Sequence, residues 1–303
     1  MSSEQGSATL EGTELDLEDA VMGPTGRPYR EFPEPAPLSS HGPARVIAMV
    51  NQKGGVGKTT TAINLAASLA LADQRVLLVD MDPQGNLTSG LGLKDTDPNA
   101  ATIYQSLMGE SDTLPILPTA VDRLSLVPAN RNLAGAEIEL VAIPNREGRL
   151  RAILAPVRDA YDYTIVDTPP SLGLLTLNAL VAADAVLIPL HCEYFALEGI
   201  ADLVATLKRV RAALNPRLDI QGVLLTMYDD RTNLGQQVSK DIRGFFQEKV
   251  FNTVIPRNVR LGEAPSHGLP AVLYDVKSRG TEAYLALAKE FLDRDRAART
   301  TAS

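Results

Sequence analysis

Residues Lys53-Gly54-Gly55-Val56-Gly57-Lys58-Thr59-Thr60 gather glycines, lysines and hydroxyls into one short run. Glycines let successive backbone N–H groups turn inward around phosphate oxygens. The run lies between an apolar segment and a helical one, so a helix N-terminus adds its partial positive charge to the same place. In such a loop Lys58 sits between the β- and γ-phosphates of a nucleotide, and the Thr59 hydroxyl faces Mg²⁺. The spacing follows the phosphate-loop pattern G-x-x-x-x-G-K-[ST] with one departure: Gln52 holds the first glycine position, and Lys53 is an additional cation beside it. A glycine-rich turn without a ligand is the bland alternative; the strand before and the helix after argue against it. The chemistry expected is binding of Mg·ATP and its hydrolysis to ADP.

Phosphoryl transfer is mainly positioning and charge stabilisation, so carboxylates that orient water or metal must lie close by. Two groups offer them. VLLVDMDPQGN places Asp80 and Asp82 at the end of one apolar run, one expected to face the phosphates and the other to point elsewhere. TIVDTPPS places Asp167 between an apolar run and a rigid Pro-Pro turn, the arrangement of a carboxylate that holds Mg²⁺ through water. Any one of these acids alone could simply cap a helix. Three of them, at the ends of two strands of one phosphate-loop sheet, point to the metal and water instead.

The elements that must position these residues read as alternating strands and helices. Continuous apolar runs at 46–51, 76–80, 124–128, 164–167, 185–190 and 220–226 predict buried strands. Helical spacing is predicted over 58–72, 172–182, 199–214, 235–248 and about 281–297, with a longer helical stretch at 131–158 interrupted near Pro144. The helix at 235–248 leads into VFNTVIP (250–256). Strands apolar on both faces, alternating with helices, define an α/β fold: a predominantly parallel sheet with helices on both faces. Ligands in such sheets bind beyond the carboxyl ends of the strands, where Gln52–Thr60, Asp80–Gly85 and Asp167–Ser171 fall.

Composition narrows the class. Of the net charge of −8, residues 1–44 carry −6, from eight acids and two arginines, so residues 45–303 carry −2 and can hold a local basic patch. The segment 1–44, rich in Glu, Ser, Gly and Pro, reads as a disordered acidic arm. Residues 45–297 read as the ATPase domain and 298–303 as a flexible tail. One cysteine, Cys192, allows no intramolecular disulfide and suits a reducing compartment. No apolar run reaches 18 residues and the N-terminus lacks the features of a signal peptide, so a cytoplasmic protein is expected. His41, His191 and His267 do not cluster, which indicates no zinc site.

The KGGVGKT box with its extra lysine resembles the deviant Walker A signature of the ParA/MinD group of ATPases. That resemblance implies that Lys53 reaches the nucleotide of the opposite subunit in an ATP sandwich homodimer. The DMDPQGN string resembles the switch I segment of that group, which implies that Asp82 orients the attacking water and that Asp80 sits near the metal shell. Thr168 stands where the group more often has Cys. Further along, LAGAEIEL (133–140), PPSLGLLTLNAL, MYDDRTNLGQQV, IPRNVRLGEAPSHGLP and YDVKSRGTEAYLALAKE are similar to the chromosomal ParA (Soj) type, over Val46 to about Leu292. In that type, arginines matching Arg231 and Arg260 contact DNA phosphates without reading bases. Between 228 and 281 eight basic residues face six acids, a margin that alone would describe only a solvated surface. The resemblance thus implies a nucleoid-associated partitioning ATPase that binds nonspecific double-stranded DNA as a dimer and is released by hydrolysis stimulated by a ParB-like protein.

Particular residues separate this reading from other classes. A membrane-cycling relative of the MinD kind needs a C-terminal amphipathic anchor, but AYLALAKEFLDRDRAARTTAS turns strongly charged. A nitrogenase-reductase-like protein needs two cluster cysteines per subunit, and only Cys192 is present. A scaffold relative that positions protein arrays shares all of these motifs and is separated from partitioning by its cargo.

Overall fold

The computed structural model describes the backbone of residues 42–93, 100–193, 196–229 and 231–302, and the side chains of these except 196–198 and 297–302. The acidic arm at 1–44 therefore lies, apart from its last three residues, outside the described residues. So do Asp230 and the side chains of the 298–303 tail.

Seven strands form one sheet in the order β3-β4-β2-β5-β1-β6-β7. They are β1 Arg45–Met49, β2 Val76–Asp80, β3 Leu117–Pro118, β4 Leu124–Val127, β5 Tyr163–Asp167, β6 Ala185–His191 and β7 Asp219–Thr226. All neighbours pair in parallel except β3, which runs antiparallel to β4. The expected parallel α/β sheet is present, and both its faces are buried, which is why its strands read as unbroken apolar runs. Along β1, Val46 and Ala48 enter one core while Ile47 and Met49 enter the other. The Ile47 core is covered by α1 (Lys58–Leu71) and α11 (Arg279–Ala302). The Val46 core is covered by α4 (Leu133–Glu139), α5 (Arg149–Leu154), α6 (Leu174–Ala182) and α7 (Ala196–Ala213).

Several elements depart from the sequence expectation, each for a local reason. The stretch 131–158 divides into α4, two short 3-10 turns and α5: Ile143, before Pro144, is extended, and Asn145 is left-handed at φ 54°. The LAGAEIEL string serves packing here, because Glu137 accepts the Leu174 and Leu175 N–H groups and so caps α6. VFNTVIP forms no strand of its own, meeting β7 and its end through the isolated bridges Val223–Val250 and Tyr228–Pro256 and the Ile255 N–H donated to the Leu225 carbonyl at 2.8 Å. The short helices α2 (Asn86–Gly90), α3 (Ile103–Met108), α9 (Val259–Glu263) and α10 (Ala271–Tyr274) have too few turns to give a periodic signal. The helix predicted over 235–248 begins earlier, as α8 (Asn233–Phe246), because Thr232 caps it by accepting the Gly235 N–H.

Register decides what the site contains. Met49 and Asp80 both stand opposite Asp167, so the strand feeding the phosphate loop and the strands bearing two of the acids end at one level of the sheet.

Candidate nucleotide site

Beyond those carboxyl ends lies a cavity of about 470 Å³. Gly54, Gly55, Gly57, Lys58, Thr59 and Thr60 line one side of it. The loop turns through Gly55 and Gly57, at φ 73° and 87°, conformations that side-chain-bearing residues rarely adopt. Val56 is buried, and its carbonyl accepts the Thr226 hydroxyl at 2.8 Å, which ties the loop to the end of β7. Gly57 then opens α1, whose N-terminus faces the cavity.

Lys58 is only 7% exposed, and its Nζ donates to the Lys53 carbonyl at 3.4 Å. Burial pushes its pKa down, while the charges of Asp167 and Asp82 act in the opposite sense. A buried ammonium with so weak a partner is ready for a stronger anion. The Thr59 hydroxyl donates to Asp167 Oδ2 at 2.6 Å, while Asp167 Oδ1 is buried without a hydrogen-bond partner. Burial first, and the neighbouring Asp80 charge next, push the Asp167 carboxyl up to about 8. A buried carboxyl with one unpartnered oxygen beside a hydroxyl fits a divalent cation. Among the described residues no group of three or more His, Cys, Asp or Glu is arranged to hold a metal ion. Mg²⁺ takes one or two protein oxygens and completes its shell with phosphates and water, and Asp167 with Thr59 offers two such oxygens.

The two switch acids separate because β2 ends at Asp80 and Asp82 lies in the turn beyond it, whereas a continued strand would put both on one face. Asp82 lines the cavity and accepts the Gln84 N–H at 2.9 Å. Asp80 is fully buried and does not line it. Its Oδ2 accepts the Thr88 N–H and hydroxyl, and its Oδ1 accepts the Asp82 N–H. Burial pushes it up to about 6 against those hydrogen bonds. Asp80 thus braces the turn that presents Asp82. In the same way Thr168 fixes the turn after β5, donating to the Met49 carbonyl at 2.6 Å.

Sequence reasoning missed the opposite wall: Met227, Ile255, Pro256, Arg257, Asn258 and Leu261. Met227 takes a left-handed backbone at φ 48°, and these residues reach the phosphate loop only through folding. Lys53 does not line the cavity; its ammonium pairs with Glu193. Arg231 lies five residues after β7, and Arg260 lies in α9, the helix that follows the Tyr228–Pro256 bridge. Both are engaged within the chain: Arg231 by a two-pronged pair with Asp229, and Arg260 by Glu263 and Asp275. The Cys192 thiol is pushed up to about 11 by burial, far from a reactive thiolate.

A strand, a left-handed glycine loop, a buried lysine at a helix start and a hydroxyl–carboxylate pair define a P-loop nucleotide-binding ATPase site. The model of the AAA domain family matches residues 44–220. The chain is 58% identical to the chromosome partitioning protein ParA of Myxococcus xanthus, covering 83% of this chain and 89% of that one. It is 57% identical to the sporulation initiation inhibitor protein Soj of Bacillus subtilis, covering 81% and 97%. Among solved structures it is similar to a cobyrinic acid a,c-diamide synthase of Mycobacterium smegmatis with bound ATP analog and magnesium, at 38% identity and a TM-score of 0.73, covering 84% and 97%. The chain belongs to the ParA/Soj family of partitioning ATPases. No helix among the described residues is long and apolar enough to cross a membrane.

Proposed function

We propose that this chain is a cytoplasmic, nucleoid-associated partitioning switch: Mg·ATP joins two copies into a sandwich homodimer, the dimer holds nonspecific double-stranded DNA, and hydrolysis to ADP, stimulated by a ParB-like partner, releases it. The observation that carries this reading is the division of the two lysines. Lys58 lines its own cavity, whereas Lys53, in the same loop, does not line it and pairs with Glu193, which supports a role toward a second nucleotide. A cation supplied in trans makes hydrolysis conditional on the dimer, as an arginine finger does elsewhere.

The roles follow from placement. Backbone N–H groups of Lys53–Thr60 and the Lys58 ammonium hold the phosphates. Thr59 and Asp167 hold Mg²⁺, with Asp80 behind them bracing the switch. When bound, the metal neutralises phosphate charge. Asp82, at the cavity wall, orients the attacking water. Arg231 and Arg260 supply phosphate contacts; DNA must compete there with Asp229, Glu263 and Asp275, which sets a weak, nonspecific affinity for one subunit. A dimer joins two such surfaces and raises affinity without new contact types. Partitioning is preferred to the synthase chemistry named for the structural neighbour because identity to ParA and Soj is higher and spans most of their length.

The test is hydrolysis as a function of protein concentration, with light scattering in Mg²⁺ and a slowly hydrolysed ATP analogue. Turnover per chain should rise with concentration. Lys53→Ala should keep nucleotide binding, yet lose hydrolysis and weaken the dimer. A Lys53→Ala protein that dimerises and turns over like wild type would refute the trans role.

A further inference from the structure

The contact that holds Lys53 away from the cavity is built from both sides. Lys53 lies four residues past β1 and Glu193 two residues past β6, and these strands pair in parallel, so both segments leave the sheet at the same end. On the lysine side, the Lys53 N–H donates to Asn51 Oδ1 at 3.0 Å, and Asn51 Nδ2 donates to the Pro189 carbonyl of β6 at 2.8 Å. On the acid side, the Glu193 N–H donates to the His191 carbonyl at 2.8 Å, and Glu193 Oε1 meets His191 Nδ1 at 2.6 Å. That leaves Glu193 Oε2 to take the Lys53 ammonium. The Lys53 hydrogen bond first, with the charges of His191, Lys53 and Arg257, holds the Glu193 carboxyl below the usual carboxylate range, so it stays ionised. The main chain of Lys53 faces the opposite way, its carbonyl accepting from Lys58. The two side chains are 45% and 44% exposed, so the pair is open to water and to exchange with another copy.

We infer that Glu193 is a positioning residue for Lys53: it latches the lysine outside its own nucleotide cavity in the monomer and releases it when a second copy of the chain docks. The inference rests on the trans role proposed for Lys53. A lysine on a free four-carbon stem, next to its own phosphates, would collapse onto them and leave nothing to offer the partner. Pinned to Glu193, it stays extended along the surface, and each bound nucleotide lacks one cation until a second subunit arrives. Two latches open per dimer, so the latch opposes dimerisation twice over.

The test compares wild type, Glu193→Gln, Glu193→Asp and the double variant Lys53→Ala with Glu193→Gln. Gln keeps the size and the contact with His191 while removing the charge. An exposed ion pair corresponds to a factor of about 1.4–5, so with two latches Glu193→Gln should tighten dimerisation in Mg²⁺ and ATPγS by about two- to thirtyfold. Partner-free turnover at limiting protein should rise with it, while mant-ATP affinity of the monomer stays at the wild-type value. Asp, which restores the charge on a shorter arm, should fall between. In the Lys53→Ala background the Glu193→Gln change should do nothing. Unchanged or weaker dimerisation of Glu193→Gln, with Lys53→Ala still inactive, overturns the latch and leaves the trans role standing. Wild-type behaviour of Lys53→Ala alone refutes the trans role itself.

Discussion

Replacing Asp167 with Asn should make the metal-free protein more stable at pH 8 than wild type and remove its response to Mg²⁺. The magnitude follows from the proton on this buried group. Asp167 is pushed from 3.8 up to about 8 in the folded chain. Between those values the folded state keeps a proton that the unfolded state has released, so stability falls as pH rises. With one proton at stake, the loss is about 1.4 kcal/mol per pH unit until the folded group itself titrates. From pH 6 to pH 8 this amounts to about 2 kcal/mol, which in a domain of this size is roughly 4–8 °C in melting temperature. Asn carries no such proton, so its melting temperature should stay flatter over the same range. The assay is thermal unfolding of both proteins in EDTA at pH 6, 7 and 8, repeated with Mg²⁺ and a non-hydrolysable ATP analogue. Nucleotide and metal should abolish the wild-type slope, because the cation keeps the carboxylate ionised. Equal slopes for the two proteins in EDTA would refute the reasoning, as would full rescue of the Asn variant by Mg²⁺.

Other outcomes follow from the same geometry. Lys58→Ala should weaken mant-ATP binding by about a hundredfold or more, because the phosphates lose their buried cation; unchanged affinity would displace the site. Asp82→Ala should bind ATP and accumulate as a dimer, with turnover down about a hundredfold for want of an oriented water. Near-normal release of phosphate by that variant would assign the water to another group. A basic peptide from a ParB-like protein should raise turnover, and indifference to any such partner and to DNA would count against partitioning.

What the sequence revealed, and what it hid, divides by distance along the chain. The loop 53–60 was legible because its chemistry is carried by consecutive residues, and its strand and helix lie on either side. Alternation alone would put Asp80 and Asp82 on one face; they diverge because β2 ends at Asp80, which the Thr88 hydrogen bonds hold in the core while Asp82 lines the cavity. Met227 and Pro256–Asn258 form the far wall because Met227 follows β7 and the Tyr228–Pro256 bridge ties the later segment beside it, a placement no local pattern encodes. The pairing of Lys53 with Glu193 was hidden for the same reason: it exists because β1 and β6 are neighbours. Arg231 and Arg260 could be picked out as cations by resemblance, but their pairing with Asp229, Glu263 and Asp275 is a matter of side-chain geometry. The two-residue strand β3 is too short to carry an alternation.

The most direct test of the whole account is fluorescence anisotropy of a random-sequence duplex with the intact chain, with and without Mg²⁺ and a non-hydrolysable ATP analogue, across a salt series. Each phosphate contact should contribute about 0.9 to the log–log salt slope, and a dimer doubles the number made by one subunit. Binding should therefore appear only with nucleotide, ignore sequence, fall steeply with salt, and vanish in Arg260→Glu while that variant still binds ATP and dimerises. Equal binding without nucleotide, or full binding by Arg260→Glu, would contradict it.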